Sequence, residues 1–267
     1  MRRALLAAGL LVAAMAVGLL VSSALGGGGK DGGGDAGAPA VRGFPTGPGR
    51  SGRSFRPESA QAALGRGVSV VAHARGPRVA LYRSGGARRS YRTLSERRVD
   101  GQRIPLAFLV AKRRPGWLQV LLPVRPNKSR AWVRARDVRV AATAYRLEIQ
   151  QRRHRLVAFR DGRVILRRSV ALGKSVTPTP NGRYYVTDVF RPTDPKGFYG
   201  PWALGLSAYS PVLTSFAGGD GQVGLHGTND PSVLGTNVSH GCIRMDNTTI
   251  TRLAHRVPLG TPVDILG

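Results

Sequence analysis

Gly224-Leu225-His226-Gly227-Thr228-Asn229-Asp230 and, shortly after, Ser239-His240-Gly241-Cys242-Ile243-Arg244-Met245 are the stretches on which the reading of this chain turns. Cys242 is the single cysteine, and two of the five histidines, His226 and His240, lie within 16 positions of it. A thiol attacks a carbonyl as its thiolate, and a neighbouring imidazole can take its proton. Gly227 and Gly241 let the backbone come close to a substrate. The amides around Gly241 and Cys242 are candidate donors to the oxyanion of a tetrahedral intermediate. Plainer readings stand beside this one. Free cysteine is among the most buried residue types, so Cys242 can be an inert core thiol, and His226 a satisfied core histidine. A metal site fits poorly, because three ligands at this spacing with no second cysteine match no common zinc pattern.

Working outward, the flanking sequence reads as mostly β. Residues 146–150, 155–159 and 163–171 are candidate strands, with Asp161-Gly162 as a hairpin turn. Residues 177–182, Thr-Pro-Thr-Pro-Asn-Gly, form a loop, and residues 184–187 return to strand. Asp246 can cap a helix whose apolar residues Ile250, Leu253, Ala254 and Val257 recur at helical spacing. Gly260 and Pro262 follow its end, and residues 263–266 make a last strand. Phe198-Tyr199-Gly200-Pro201-Trp202 and Gly218-Gly219-Asp220-Gly221 suit either a mobile loop over the site or an ordinary turn with packed aromatics.

The paired segments resemble the signature of the L,D-transpeptidase family, the YkuD-type catalytic domain. In that family a His-Gly stretch and a short loop precede Ser/Thr-His-Gly-Cys, an apolar residue and Arg or Asn. Residues 170–174 and 177–182 are similar to the family's strand and its Thr-Pro-x-Gly loop. The resemblance implies Cys242 as nucleophile and His226 as general base, with the Gly227 carbonyl orienting the imidazole. It leaves His240 as the competing base, or as a structural or substrate-binding residue. Ser239 is expected to fix the local backbone or to bond His240, and Gly241 to shape the turn. Arg244 is a candidate fork for a substrate carboxylate, or else an ordinary surface ion-pair residue. The implied reaction is acyl transfer from a peptidoglycan stem tetrapeptide to an amine of another stem. D-Ala is released and a 3-3 cross-link forms. No metal or organic cofactor is implied, and carbapenem-type β-lactams are the implied inhibitors. L,D-carboxypeptidase activity with water as acceptor and a non-catalytic wall-binding role are the alternatives.

Residues 65–142 show short strands with turn punctuation. Residues 68–71, 79–82, 106–110, 117–121 and 131–133 are candidates, with a Pro115-Gly116 hairpin turn and a short turn at residues 135–138. Their order resembles a bacterial SH3-like barrel, in which Trp117 and Trp132 would fill the core. The expected fold class is therefore mainly β: an SH3-like barrel at 65–142, then a β-rich catalytic domain at 143–267 with a short helix late in the chain.

Upstream, Arg2-Arg3 precedes an uncharged apolar run at residues 4–25. It is long enough to span a bilayer, and its charge placement sends the rest of the chain outward. It reads as an anchor or as a cleaved signal, so the folded parts are expected in the cell envelope, outside the cytoplasm. Residues 26–64 are rich in Gly, Pro, Ser and Arg and read as a tether. The net charge is +27, with only five lysines among 41 basic residues. That arginine bias follows genome composition as readily as any ligand. No basic, aromatic-interleaved recognition motif accompanies it, so a nucleic-acid partner is not expected.

Overall fold

The computed structural model describes residues 67–99, 102–216 and 218–267. The apolar run at 4–25 and the tether at 26–64 lie outside them. Among the described residues no helix is long and apolar enough to cross a membrane.

The first part of the described chain is β apart from one 3-10 turn, Ala135–Asp137. It runs β1 (Ser69–Ala74), β2 (Arg78–Leu81), β3 (Arg92–Ser95), β4 (Arg97–Val99), β5 (Gln102–Ile104), β6 (Ala107–Arg114), β7 (Trp117–Leu121), β8 (Arg130–Arg134) and β9 (Val138–Thr143). Five of these form one sheet in the order β8-β7-β6-β1-β9, while β2-β3 and β4-β5 are separate two-stranded ribbons. β6 continues to Arg114, which pairs with Trp117, so the hairpin turn is only Pro115 and Gly116. Gly116 has φ +72, a conformation that glycine adopts without strain. The core is aliphatic around Phe108, with Leu81, Val120 and Val133. Of the two tryptophans, Trp132 is buried and Trp117 half-buried. Trp117 meets Tyr82 edge-on at 4.9 Å. Arg114 lies over Trp132, and Arg134 over Tyr82. Indole and phenol rings stack favourably with guanidinium groups.

The second part holds β10 (Tyr145–Gln150), β11 (Arg155–Arg160), β12 (Arg163–Ser169), β13 (Leu172–Gly173), β14 (Gly182–Phe190), β15 (Ala203–Tyr209), β16 (Gln222–His226), β17 (Asn237–Ser239), β18 (Ile243–Arg244), helix α1 (Asn247–Arg256) and β19 (Pro262–Leu266). Eight strands form one sheet, ordered β12-β11-β10-β19-β14-β15-β16-β18. Along β10 the alternate residues Leu147 and Ile149 are fully buried, as period-2 patterning requires of a sheet with one core face. Asp161 and Gly162 both take positive φ, 51° and 75°, the requirement of a two-residue primed turn. Every residue of β15 is buried. The Asp246 carboxylate accepts the Thr249 N–H at 2.8 Å, capping α1. Such a cap is worth about 1 kcal/mol. Ile250 and Leu253 of α1 pack into the core beneath the sheet.

The two parts meet through specific bonds. Tyr185 and Tyr209 donate their hydroxyls to the carbonyls of Leu121 and Pro123. Arg97 of β4 pairs with Asp188 of β14, which is 1% exposed.

Candidate active site

Two short parallel strands bring the chemistry together. Leu225 pairs with Ile243 and His226 with Arg244. Paired residues of a ladder project from the same face, as do residues two apart along a strand. His226, Arg244 and Cys242 therefore share one side, although 16 positions separate the histidine from the cysteine. One step back in this register, Gly224 stands opposite Cys242. The Gly224 amide bonds the thiol and favours its charged form.

His226 is 1% exposed. Its Nδ1 lies 2.7 Å from the Gly227 carbonyl oxygen. A carbonyl only accepts, so Nδ1 carries the proton and Nε2 of the neutral ring is left with a lone pair. That Nε2 is buried and has no hydrogen-bond partner. Burial holds the imidazole down at about 4, against a smaller opposing pull from the Gly227 bond, and Arg244 lowers it further. Tyr199 and Phe198 enclose the ring, with centroids at 4.9 Å and 5.6 Å. Cys242 is partly exposed. Burial pushes its thiol up, while the Gly224 amide and the Arg244 charge pull it down. Near neutral pH both groups are therefore uncharged at rest.

The turn that presents Cys242 is held from several sides. Gly241 has φ +117, a region that side-chain-bearing residues enter only with strain. The Ser239 hydroxyl accepts the Gly241 N–H at 3.0 Å and donates to the Cys242 carbonyl at 2.6 Å. Ser239 thus fixes the backbone, and the Gly241 amide is committed to it rather than turned toward a substrate. Thr179 donates to the Gly241 carbonyl at 3.0 Å, and Thr177 to the Ser239 carbonyl at 3.2 Å. These two threonines are supports that the sequence shows only as part of a proline-rich loop. Asn247 adds a third: its side-chain oxygen accepts the Thr228 N–H at 2.9 Å, fixing the chain just after Gly227.

A cleft of about 420 Å³ opens over Cys242 and His226, with Tyr199, Phe216 and the Gly218–Gly221 stretch among its walls. His240 is exposed and stacks on Phe216 with centroids 4.8 Å apart. Arg244, on the same side as His226 and Cys242, is not among the residues that line the cleft. It is 8% exposed, and its guanidinium lies 4.1 Å from the centre of the Phe198 ring. Its geometry is that of a fixed cation beside the thiol. Removing it gives a signed expectation. In Arg244→Gln the His226 imidazole should titrate higher, toward its ordinary value, and the thiol should also rise. NMR titration of the His226 ring checks this, and a downward or absent shift would show that Arg244 does not act on the pair.

Comparison with known proteins identifies the domain in which these residues lie. The profile of the L,D-transpeptidase catalytic domain matches residues 144–265. YkuD of Bacillus licheniformis, which bears an L,D-transpeptidase name, is 35% identical over 121 residues, 45% of this chain and 65% of that protein. YkuD of Bacillus subtilis is 38% identical over 105 residues, 39% of this chain and 56% of that protein. The chain thus spans less than two thirds of these two relatives. YqjB of Bacillus subtilis, named in the same way, is 33% identical over 121 residues, 43% of this chain and 67% of that protein. On the matched domain and these relatives, the chain belongs to the L,D-transpeptidase family of YkuD type.

Proposed function

We propose that this protein is a peptidoglycan L,D-transpeptidase acting outside the cytoplasmic membrane, with Cys242 as nucleophile and His226 as general base. One observation carries the reading. The Gly227 carbonyl locks the His226 proton on Nδ1, so a bare, buried, unpartnered Nε2 lines the same cleft as the only thiol of the chain. Here a backbone carbonyl takes the orienting place that a carboxylate holds in other triads.

In the first half-reaction the Cys242 sulfur attacks the carbonyl of the third stem residue, diaminopimelate in the usual stem. The thiol proton passes to Nε2 of His226. The tetrahedral intermediate then collapses, the bond to D-Ala breaks, and His226 returns the proton to the departing amine. A thioester remains. An amine of a second stem attacks it, gives up its proton to His226, and leaves a 3-3 cross-link with a free Cys242 thiol. Because the Gly241 amide is bonded to Ser239, the Cys242 amide is the backbone donor proposed for the oxyanion. Arg244 favours the thiolate through its charge instead of gripping substrate. The β1–β9 region is proposed to be an SH3-like module, and residues 4–25 an anchor or export signal.

Purified protein incubated with disaccharide-tetrapeptide should yield cross-linked dimer and free D-Ala. Tripeptide as the sole product would assign water as the acceptor and make the protein a carboxypeptidase. No release of D-Ala would contradict the proposal.

A further inference from the structure

The loop after β15 runs from Ser210 to Phe216 and returns through Gly218–Gly221, whose residues, with Phe216, form one wall of the cleft. Within the loop, the Ser210 N–H donates to the Gly221 carbonyl at 2.8 Å, the Ser210 hydroxyl accepts from the Val212 and Leu213 N–H groups, and Phe216 and Gly219 exchange backbone bonds. A further tether, at three points, comes from the other sheet. Arg125, between β7 and β8, donates Nη1 to the Ser210 carbonyl at 2.7 Å. Its Nη2 donates to the carbonyls of Leu213 and Asp220, at 2.7 Å and 3.0 Å. One guanidinium thereby joins the outgoing and returning arms of the loop. Its plane also lies over the Tyr209 ring, 5.0 Å from the centroid. Beside it, the Asn127 amide accepts the Tyr209 N–H at 2.8 Å and donates to the Tyr209 carbonyl at 2.7 Å. This is the pairing that a neighbouring strand would supply.

The geometry is specific to arginine. Charge-assisted bonds to backbone carbonyls are among the stronger hydrogen bonds, and a rigid planar fork can serve several acceptors in fixed directions, which a lysine cannot. Gly221 packs so tightly against the Leu213 carbonyl and the Arg125 guanidinium that a Cβ there would collide with both.

We infer that Arg125 is a positioning residue for the reaction: the first sheet sets the wall of the cleft by clasping the Ser210–Gly221 loop, and so helps decide how a stem peptide is held over Cys242. This rests on the activity proposed above. It also means that residues 144–265, although they carry the whole catalytic motif, do not by themselves fix the shape of the cleft.

The test uses the full chain with Arg125→Gln and Arg125→Lys. Misplacing substrate by about 1 Å can cost up to roughly 10²-fold in rate, so kcat/KM for disaccharide-tetrapeptide should fall about 10–100-fold in Arg125→Gln, chiefly through KM. Arg125→Lys should recover only part of the loss. Alkylation of Cys242 by iodoacetamide reads the thiol alone and should keep its wild-type rate and pH profile. Chymotryptic cleavage after Phe216 needs no substrate and should be faster in both variants. If wild-type protein does not turn over the tetrapeptide, the proposed activity fails, and the cleavage rate still judges the clasp. Unchanged KM and unchanged cleavage would overturn the inference. A parallel loss of turnover and alkylation would overturn it as well, because Arg125 would then support the fold generally. Arg125→Lys retains the charge at the junction and guards against a variant that does not fold.

Discussion

Cys242→Ala is expected to abolish covalent adduct formation completely. With one cysteine in the chain, no second thiol can substitute. The smaller side chain leaves the Ser239 and Thr179 bonds to the turn intact, since both are made to backbone atoms. The folded protein incubated with a carbapenem should gain no mass, whereas the wild type should gain one β-lactam. An adduct on folded Cys242→Ala would place the nucleophile elsewhere.

His226→Ala should slow acylation by about 10²–10⁴-fold, the usual worth of a general base, while Cys242 stays in place. The pH dependence is the sharper reading. His226 accepts a proton only when neutral, and burial holds it at about 4. In the wild type the acylation rate should therefore rise as pH increases through about 4 and stay level through neutrality, because the resting thiol is protonated there. In His226→Ala that acidic limb should vanish, leaving a slow rate that climbs only as the thiol itself ionises at alkaline pH. His240→Ala should keep the acidic limb and change substrate binding instead, since its ring lies against Phe216. If His240→Ala lost the limb and His226→Ala kept it, the two roles would be exchanged.

The same buried imidazole affects stability. Its folded value lies below its unfolded one, so between about 6.5 and 4 the unfolded chain binds the extra proton. Stability from keeping His226 neutral is complete above that window and is lost as pH falls through it. The shift corresponds to about 3 kcal/mol.

Cys242 and His226 stood out as candidates because their residue types are scarce, one cysteine and five histidines in 267 residues, and because the segments around them resemble a family signature; the structure places both on one cleft. The capped helix and the Asp161-Gly162 turn were legible for a different reason, since each depends on local chemistry that a few neighbouring residues complete. β15 was not. Its sequence Ala-Leu-Gly-Leu-Ser-Ala-Tyr is buried on both faces and shows no alternation, so periodicity had nothing to report. Thr177 and Thr179 escaped because their acceptors lie 62 positions away. Arg125 was hidden among many arginines, and only the tertiary structure separates a guanidinium with three carbonyl partners from one in solvent. Of the two tryptophans expected to fill the first core, Trp132 is buried and Trp117 half-buried, while the aliphatic cluster forms around Phe108. For Arg244 the motif suggested a fork for a substrate carboxylate; the structure adds that it pairs with His226 and lies against the Phe198 ring.

The central claim is that Cys242, deprotonated by His226, forms a thioester with a stem peptide. Intact-protein mass spectrometry during incubation with disaccharide-tetrapeptide, followed by peptide mapping, tests it most directly. The account predicts a transient adduct equal to the substrate less D-Ala, located on the peptide containing Cys242, absent from Cys242→Ala and slow to form in His226→Ala. D-Ala release with no adduct on Cys242, or an adduct forming at the wild-type rate in His226→Ala, would contradict it.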